Sequence, residues 1–257
     1  MRVGLMIGPE RGRYRTKVER MCEDARWADD AGLASVWVPQ IPDEFDALTA
    51  AALVGTTTAR IEIGTAVVPI QPSHPIALAR QTLSVQAVCE GRLALGLGVS
   101  HHWIIDEMLG LPYGRPVDTM RAYLDVLDEA LAGPGPVDVE NERFRIHNPL
   151  DITDLAPTSV LVAALGPRML QLAGERTGGT ILWMADEKAI AGQSAHTVAG
   201  HCQQVLAGMG FTTEHPFHRY LRRTILLDQL LGDSRTLLRR VGEELVGARE
   251  LPDLLPL

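Results

Sequence analysis

Short runs of apolar residues, with no polar alternation, recur along residues 1–186, and each is followed by a stretch with helical spacing of apolar residues. Strands that are apolar throughout are typical of parallel sheets covered by helices on both faces. The runs start at intervals of roughly thirty residues, which is the length of one strand–helix unit. The pattern therefore predicts an α/β fold with right-handed crossovers, built either as a barrel or as a doubly wound sheet.

The same spacing gives definite predictions for the elements. Six strands are predicted, at Val3–Ile7, Ser35–Val38, Ile61–Val68, Leu93–Val99, Ser159–Ala163 and Thr180–Met184. Five helices are predicted, at Thr16–Ala31, Ala47–Thr58 with Asp46 as its N-cap, Pro75–Val88, Val117–Leu131 and Arg168–Gly174, with a small hairpin around Phe144–Ile146. After Asp186 only helices are predicted, at Val198–Leu206, Arg219–Leu231 and Thr236–Val246. A closed eight-stranded barrel would need two further strand–helix units there.

Composition and charge narrow the class of protein. The chain has 257 residues, 46% hydrophobic and 22% charged, which is ordinary for a soluble globular protein, and its length suits either one α/β barrel or two small domains. Its net charge of −8 argues against nucleic acid as a main partner, because phosphate binding needs a basic surface. The three cysteines lie far apart, no apolar run reaches the ~18 residues of a membrane helix, and the first strand is too short for a signal-peptide core. These features predict a cytoplasmic protein that binds neither nucleic acid nor membrane.

Candidate ligand-binding residues stand where the predicted strands end, since parallel α/β proteins bind ligands at that edge. They are Gly8-Pro9, Pro39-Gln40, Ala66-Val67, Ser100-His101-His102, Ala164-Leu165-Gly166-Pro167 and Met184-Ala185. The turn Leu165–Arg168 leads into a helix N-terminus, where free amides and the helix dipole favour a phosphate. Gly166 would let a phosphate approach the backbone, and Pro167 suits the first helical position. From the residues alone, an anion site and a plain Gly-Pro turn are both open.

Other chemistries have less support in the sequence. Gly96-Leu97-Gly98 lacks the third glycine of a dinucleotide-binding fingerprint, because His101 stands in its place, and these glycines lie within a strand. They are interpreted instead as positions where a ring system lies against the strand. His101 and His102 follow a strand end, so a functional role and a solvated loop position are both open. The spacing of the other histidines indicates no metal site.

The stretch from Ile61 to Pro116 contains long ordered motifs. They are Gly64-Thr65-Ala66-Val67, His74-Pro75, Gln81, Gly91-Arg92 and Leu95-Gly96-Leu97-Gly98, with Val36–Gln40 and Asp46–Thr49 upstream and Ala163–Met169 downstream. In these motifs the sequence closely resembles the luciferase-like monooxygenase superfamily, and within it the branch that uses the deazaflavin coenzyme F420. The resemblance covers residues 1–186.

The resemblance implies a fold and a cofactor site. The fold is a TIM-like (β/α) barrel in one domain over 1–257, incomplete or altered in the mostly helical stretch 187–257. A deazaflavin or flavin ring lies at its C-terminal mouth, backed by a non-prolyl cis peptide at Ala66-Val67, with the cofactor phosphate on Leu165-Gly166-Pro167. The implied cofactor-binding residues are Gly8, Gln40, Ala66, Val67, Ser100, His101, Ala164, Leu165, Gly166, Pro167 and Met184.

The implied activity is hydride transfer between coenzyme F420 and a small organic substrate in a homodimeric enzyme. In the sugar-phosphate dehydrogenase branch a histidine at the end of the second strand is the base, and Gln40 stands there instead. That difference argues against alcohol oxidation and favours reduction of an activated double bond or carbonyl. The candidate catalytic residues are His101, as the proton donor, and Gln40. Two alternatives stay open: an FMN-dependent monooxygenase, and a catalytically silent barrel that binds a cofactor or nothing.

Overall fold

A computed structural model of the chain describes residues 3–8, 14–152 and 155–182. These residues form strands β1 (Gly4–Met6), β2 (Ser35–Val38), β3 (Glu62–Thr65), β4 (Val68–Pro69), β5 (Leu93–Gly98), β6 (Val137–Glu140), β7 (Arg145–Asn148), β8 (Ser159–Ala163) and β9 (Gly179–Ile181). They also form helices α1 (Tyr14–Asp30), α2 (Ala47–Thr57), α3 (Pro75–Val88), α4 (Pro116–Leu131) and α5 (Pro167–Arg176), and a π-helical turn at Ile104–Met108.

Seven of these strands form one parallel sheet in the order β1-β2-β3-β5-β8-β9, with the short β4 also paired to β5. The strands β1 and β9 stand at opposite ends of this order, yet Met6 of β1 and Ile181 of β9 line the same cavity. The sheet therefore curls until its two ends face one space, which is the interior of a (β/α) barrel. This confirms the predicted fold class. The alteration expected beyond Asp186, with its three predicted helices, lies outside the described residues.

The main hydrophobic core lies between the sheet and the helices. Strand residues Val36, Ile63 and Leu95 belong to one buried cluster with helix residues such as Leu48 and Leu124, and all five are fully buried. Burying a side chain of this size stabilises the fold by about 1.5–3 kcal/mol. The apolar runs of the sequence are thus explained by strands that contact helices on one side and the barrel interior on the other.

The predicted elements agree closely with the structure in all but one place. The six predicted strands, the five helices and the hairpin are all present, with helix bounds that shift by at most two residues. The third strand, however, is not continuous over Ile61–Val68. It is divided into β3 and β4, with the Ala66-Val67 bond between them in the cis conformation. The part of the sixth strand beyond residue 182 lies outside the described residues.

Two general features of the described residues bear on function. None of their helices combines the length and hydropathy that a bilayer-spanning segment needs. Within the same part of the chain, no group of three His, Cys, Asp or Glu side chains is arranged to hold a metal ion.

Candidate active site

The C-terminal ends of the parallel strands meet at one edge of the sheet, and almost all of the predicted site residues lie there. Gly8 follows β1, Gln40 follows β2, Ala66-Val67 separates β3 from β4, Ser100-His101 follows β5, and Ala164–Pro167 follows β8. Met184 lies outside the described residues. The remaining predicted residues are therefore brought to a common edge, which is where a parallel α/β protein builds its site.

A one-residue bulge marks this edge beside β5. Val68 follows Gly64 by four positions, whereas their partners on β5, Leu97 and Ala94, are three positions apart. The extra residue makes a β-bulge, a feature common next to active sites. The cis peptide bond Ala66-Val67 lies within it, at the position that the resemblance implied. Ala66 also lines the cavity of the barrel interior, so the bulge forms part of its wall.

The glycines of β5 accommodate this bulge. A Cβ atom on Gly96 would overlap the carbonyl oxygen of Thr65, and one on Gly98 would lie 2.6 Å from Cγ2 of Val67. The interpretation that these glycines make direct room for a ring system is therefore wrong. Their missing side chains make room for the bulge, because protein atoms already fill the space in front of them.

The segment after β5 adopts an unusual backbone conformation. Ser100 is in the left-handed region at φ 57°, which is unfavourable for a residue with a side chain. The phenolic hydroxyl of Tyr113 donates a hydrogen bond to the Ser100 carbonyl oxygen, at 3.1 Å. His101, the next residue, is exposed. His101, the candidate proton donor, thus lies at the C-terminal edge of the sheet, directly after a residue whose carbonyl group is bound by Tyr113.

Gln40 takes part in a helix cap. Its Oε1 accepts a hydrogen bond from the Ala47 amide at 2.8 Å, while Asp46 Oδ1 accepts one from the Thr49 amide at 2.8 Å. The predicted N-cap is confirmed, and Gln40 supplies a second acceptor at the start of α2. Its amide group is therefore held by the helix, which gives this side chain a structural task at the site.

Gly8 is buried, whereas the N-terminus of α5 is open to solvent. Gly8 has a φ of 76°, and a Cβ atom there would lie 2.8 Å from Sδ of Met21, so its role is conformational. At α5, by contrast, Gly166 is the N-cap and no side chain caps the helix. Leu165, Gly166 and Pro167 are exposed, and a Cβ atom on Gly166 would meet no atom within 4 Å. The first amides of α5 can therefore be reached by an anion.

The structure also shows residues near this edge that the sequence did not indicate. Lys17 Nζ lies 2.7 Å from Glu44 Oε2, and the two side chains are only 3% and 10% exposed. This ion pair joins α1 to the loop that carries Gln40. Gln71 Nε2 donates a hydrogen bond to the carbonyl oxygen of Val99 at 2.8 Å. No pattern in the sequence indicated these contacts, because all three, that of Tyr113 included, join residues far apart along the chain.

Comparison with known proteins agrees with this architecture. A putative coenzyme F420-dependent oxidoreductase of Mycobacterium tuberculosis is 26% identical over 193 residues, which are 70% of this chain and 55% of that protein. The chain thus spans about half the length of this relative.

Solved structures show the same fold at low sequence identity. The coenzyme F420-dependent tetrahydromethanopterin reductase from Methanopyrus kandleri has a TM-score of 0.66 and 19% identity, over 78% of this chain and 60% of that one. The oxygenating constituent of 3,6-diketocamphane monooxygenase from Pseudomonas putida, in complex with FMN, has a TM-score of 0.65 and 18% identity, over 81% and 63%.

The family model of luciferase-like monooxygenases matches residues 1–204, and these residues include every strand of the curled sheet as well as the bulge at Ala66-Val67. The chain belongs to the luciferase-like monooxygenase family.

Proposed function

We propose that the protein is an oxidoreductase that holds coenzyme F420 at the C-terminal edge of its sheet and transfers a hydride between this coenzyme and a small organic substrate. The observation that carries the proposal is the bulge at Ala66-Val67, which lines the barrel cavity through Ala66 and leads into β4, the strand paired to the end of β5 just before Ser100-His101. The relatives named above support the choice of coenzyme, because two of the three carry F420 in their names.

The residues at this edge fit such a coenzyme. A phosphate group needs an anion site, and the uncapped N-terminus of α5 offers free amides with open space around Gly166. A ring system needs a largely apolar wall, and Ala66 supplies part of the wall of the cavity. When bound, the coenzyme supplies the hydride chemistry, and the protein supplies orientation and protons.

The roles of individual residues follow from their places. Ala66 and Val67 back the ring, and Leu165, Gly166 and Pro167 hold the phosphate. Ser100 and Ala164 flank the ring from the two neighbouring strand ends. Gly8 shapes the turn after β1, and Gln40 keeps the loop after β2 in place.

His101 is assigned the proton that accompanies hydride transfer. Its imidazole is exposed at the mouth, where a substrate can reach the ring N–H. General acid catalysis by a positioned histidine contributes typically 10²–10⁴-fold to a rate. Gln40 has no titrating group, and it enters the site as a hydrogen-bonding residue whose amide is fixed by the Ala47 backbone.

A second candidate is FMN-dependent monooxygenation, favoured by the neighbour solved in complex with FMN. The N-terminus of α5 suits the phosphate of either coenzyme, so the anion site does not distinguish FMN from coenzyme F420.

The family resemblance also leads us to propose that the protein is a homodimer. Size-exclusion chromatography with light scattering would test this by measuring the molar mass in solution.

The relative affinities of the protein for coenzyme F420 and FMN distinguish the hydride-transferring oxidoreductase, the monooxygenase and the catalytically silent barrel. The purified protein is titrated with oxidised coenzyme F420 and, separately, with FMN, following fluorescence quenching. Tighter binding of the deazaflavin is expected. Tighter binding of FMN would favour the monooxygenase. If neither coenzyme binds to protein that melts cooperatively, the chain is a catalytically silent barrel and the proposal is wrong.

Turnover tests the role of His101. With reduced coenzyme and a panel of enone and nitro acceptors, His101→Ala is expected to lower the rate by about 10²-fold or more at unchanged coenzyme affinity. His147→Ala is the matched control, since His147 is also exposed but lies on the β6–β7 hairpin. Equal rates for the two variants would remove His101 from the mechanism.

A further inference from the structure

Consecutive carbonyl groups at the end of β5 are each bonded to a donor outside their own strand. Gly98 O accepts from the Ile70 amide at 3.0 Å, Val99 O from Gln71 Nε2 at 2.8 Å, Ser100 O from the Tyr113 hydroxyl at 3.1 Å, and His101 O from the amides of Ile104 and Ile105 at 3.1 Å. The backbone that leads to His101 is therefore anchored at every carbonyl.

Two of these anchors are side chains, and they come from separate parts of the chain. Gln71 stands two residues beyond β4, so it ties the strand that follows the bulge to the end of β5. Tyr113 lies thirteen residues after Ser100 and closes the loop that contains the π-helical turn. Its ring also contacts His102 edge-on, with the ring centroids 5.3 Å apart.

The anchored residue is the one whose backbone is unfavourable. A serine at φ 57° persists where the surroundings fix it, and such positions cluster at binding and catalytic sites. The carbonyl oxygen of Ser100 is the group that Tyr113 holds, and the Val99 carbonyl one residue earlier is held by Gln71. Within the turn after Gly98, these two side chains therefore hold the carbonyl groups that lie between the sheet and the π-helical turn.

We propose that Gln71 and Tyr113 are positioning residues for the active site: they hold the Ser100-His101 segment in the conformation in which it meets the ring-bearing coenzyme. The inference rests on the proposed function for the identity of the ligand. The anchoring of the Ser100-His101 segment by Gln71 and Tyr113 does not depend on any ligand. Neither side chain needs to touch the coenzyme for this role, because each acts on a backbone carbonyl.

Three isosteric variants of the full chain test the proposal. Tyr113→Phe removes only the hydroxyl and keeps the ring against His102, and Gln71→Met removes the donor at similar volume. Thr177→Val is the matched control, because Thr177 Oγ1 also donates to a backbone carbonyl, that of Ala173 at 2.8 Å, after the end of α5. Amide hydrogen exchange of residues 100–105 is measured without ligand, and the Kd values for oxidised coenzyme F420 and FMN are measured by fluorescence quenching.

In Tyr113→Phe and Gln71→Met we expect exchange of the Ile104 and Ile105 amides, which donate to the His101 carbonyl oxygen, to accelerate about tenfold. Coenzyme binding should weaken by about five- to tenfold, as for the loss of one hydrogen bond. Thr177→Val should change neither quantity. Unchanged exchange in both test variants overturns the inference, and so does weaker binding at unchanged exchange, since the side chains would then act by touching the ligand. If the unmodified protein binds neither coenzyme, the proposed function fails, and the exchange rates alone decide whether the two residues hold the segment.

Discussion

The side-chain hydroxyl of Thr65 donates a hydrogen bond to the carbonyl oxygen of Gly96 at 3.0 Å and accepts one from the amide of the same residue at 2.9 Å. Both residues are buried at the point where the bulge interrupts regular pairing between β3 and β5. A buried backbone amide or carbonyl without a partner is costly, so one threonine side chain replaces the two ladder bonds that the bulge removes. The bulge is thereby compatible with a buried strand.

This arrangement leaves no room for a side chain at position 96 of β5. In Gly96→Ala the new Cβ would overlap the Thr65 carbonyl oxygen and lie 2.6 Å from Cδ1 of Ile181. We expect a loss of about 1–3 kcal/mol in the free energy of unfolding, as for other overpacked cores, measured by urea denaturation. Gly114→Ala is the control, because a Cβ on this exposed glycine would meet nothing within 4 Å. Equal stability of the two variants would contradict the packing argument.

The buried ion pair between Lys17 and Glu44 gives a second prediction. Lys17→Met should destabilise the protein by about 3–5 kcal/mol, because it leaves the Glu44 carboxylate buried without its counter-charge. The double variant Lys17→Met with Glu44→Leu should recover most of this loss, since a well-packed apolar pair often replaces a buried ion pair at little cost. Guanidinium unfolding of both variants is the measurement. A double variant as unstable as the single one would show that packing, and not charge, explains the loss.

A third prediction concerns acid stability and Asp29. Burial by itself would raise the pKa of this carboxyl, but hydrogen bonds from the Ala59 and Arg60 amides and the charge of Arg60 lower the pKa below its ordinary value. The carboxylate therefore stabilises the fold fully above the ordinary pKa of about 3.9, and this contribution is lost as the pH falls from there through the lowered pKa.

The test is a series of urea unfolding curves between pH 6 and pH 3. The unmodified protein should lose stability steeply at the acid end, whereas Asp29→Asn should begin less stable and show a shallower decline. Asp118→Asn serves as the control, because Asp118 pairs with the exposed Arg115 on the protein surface. Parallel curves for Asp29→Asn and the unmodified protein would show that Asp29 does not contribute to acid unfolding.

Local features of the structure could be predicted from the sequence because their causes are local. The Asp46 cap depends on residues three apart, and the strands depend on short apolar runs, so neither needed the fold to be known. The cis bond at Ala66-Val67 was predicted from a family motif and not from any rule of residue spacing.

Contacts between residues that lie far apart along the chain could not be predicted in this way. The pairs Lys17–Glu44 and Ser100–Tyr113 join residues brought together only by the fold, and the sequence pattern contains no signal of their partnership. The glycines at 96 and 98 were assigned to a ligand because the bulge that fills their space comes from β3, a different strand. The sequence shows that a glycine lacks a side chain, but it does not show whether ligand atoms or protein atoms occupy the space in front of it.

The final prediction separates the phosphate site from the ring site at α5. Gly166 has φ −87° and ψ 151°, which suits an aspartate N-cap, so Gly166→Asp should keep or slightly raise the stability while placing a negative charge at the helix N-terminus. If the first amides of α5 hold the coenzyme phosphate, this charge should weaken FMN binding by about tenfold or more and leave riboflavin binding unchanged. Gly166→Asn is the matched control, because asparagine caps equally well without the charge. Equal weakening of FMN and riboflavin in Gly166→Asp would place the phosphate elsewhere, since riboflavin lacks that group.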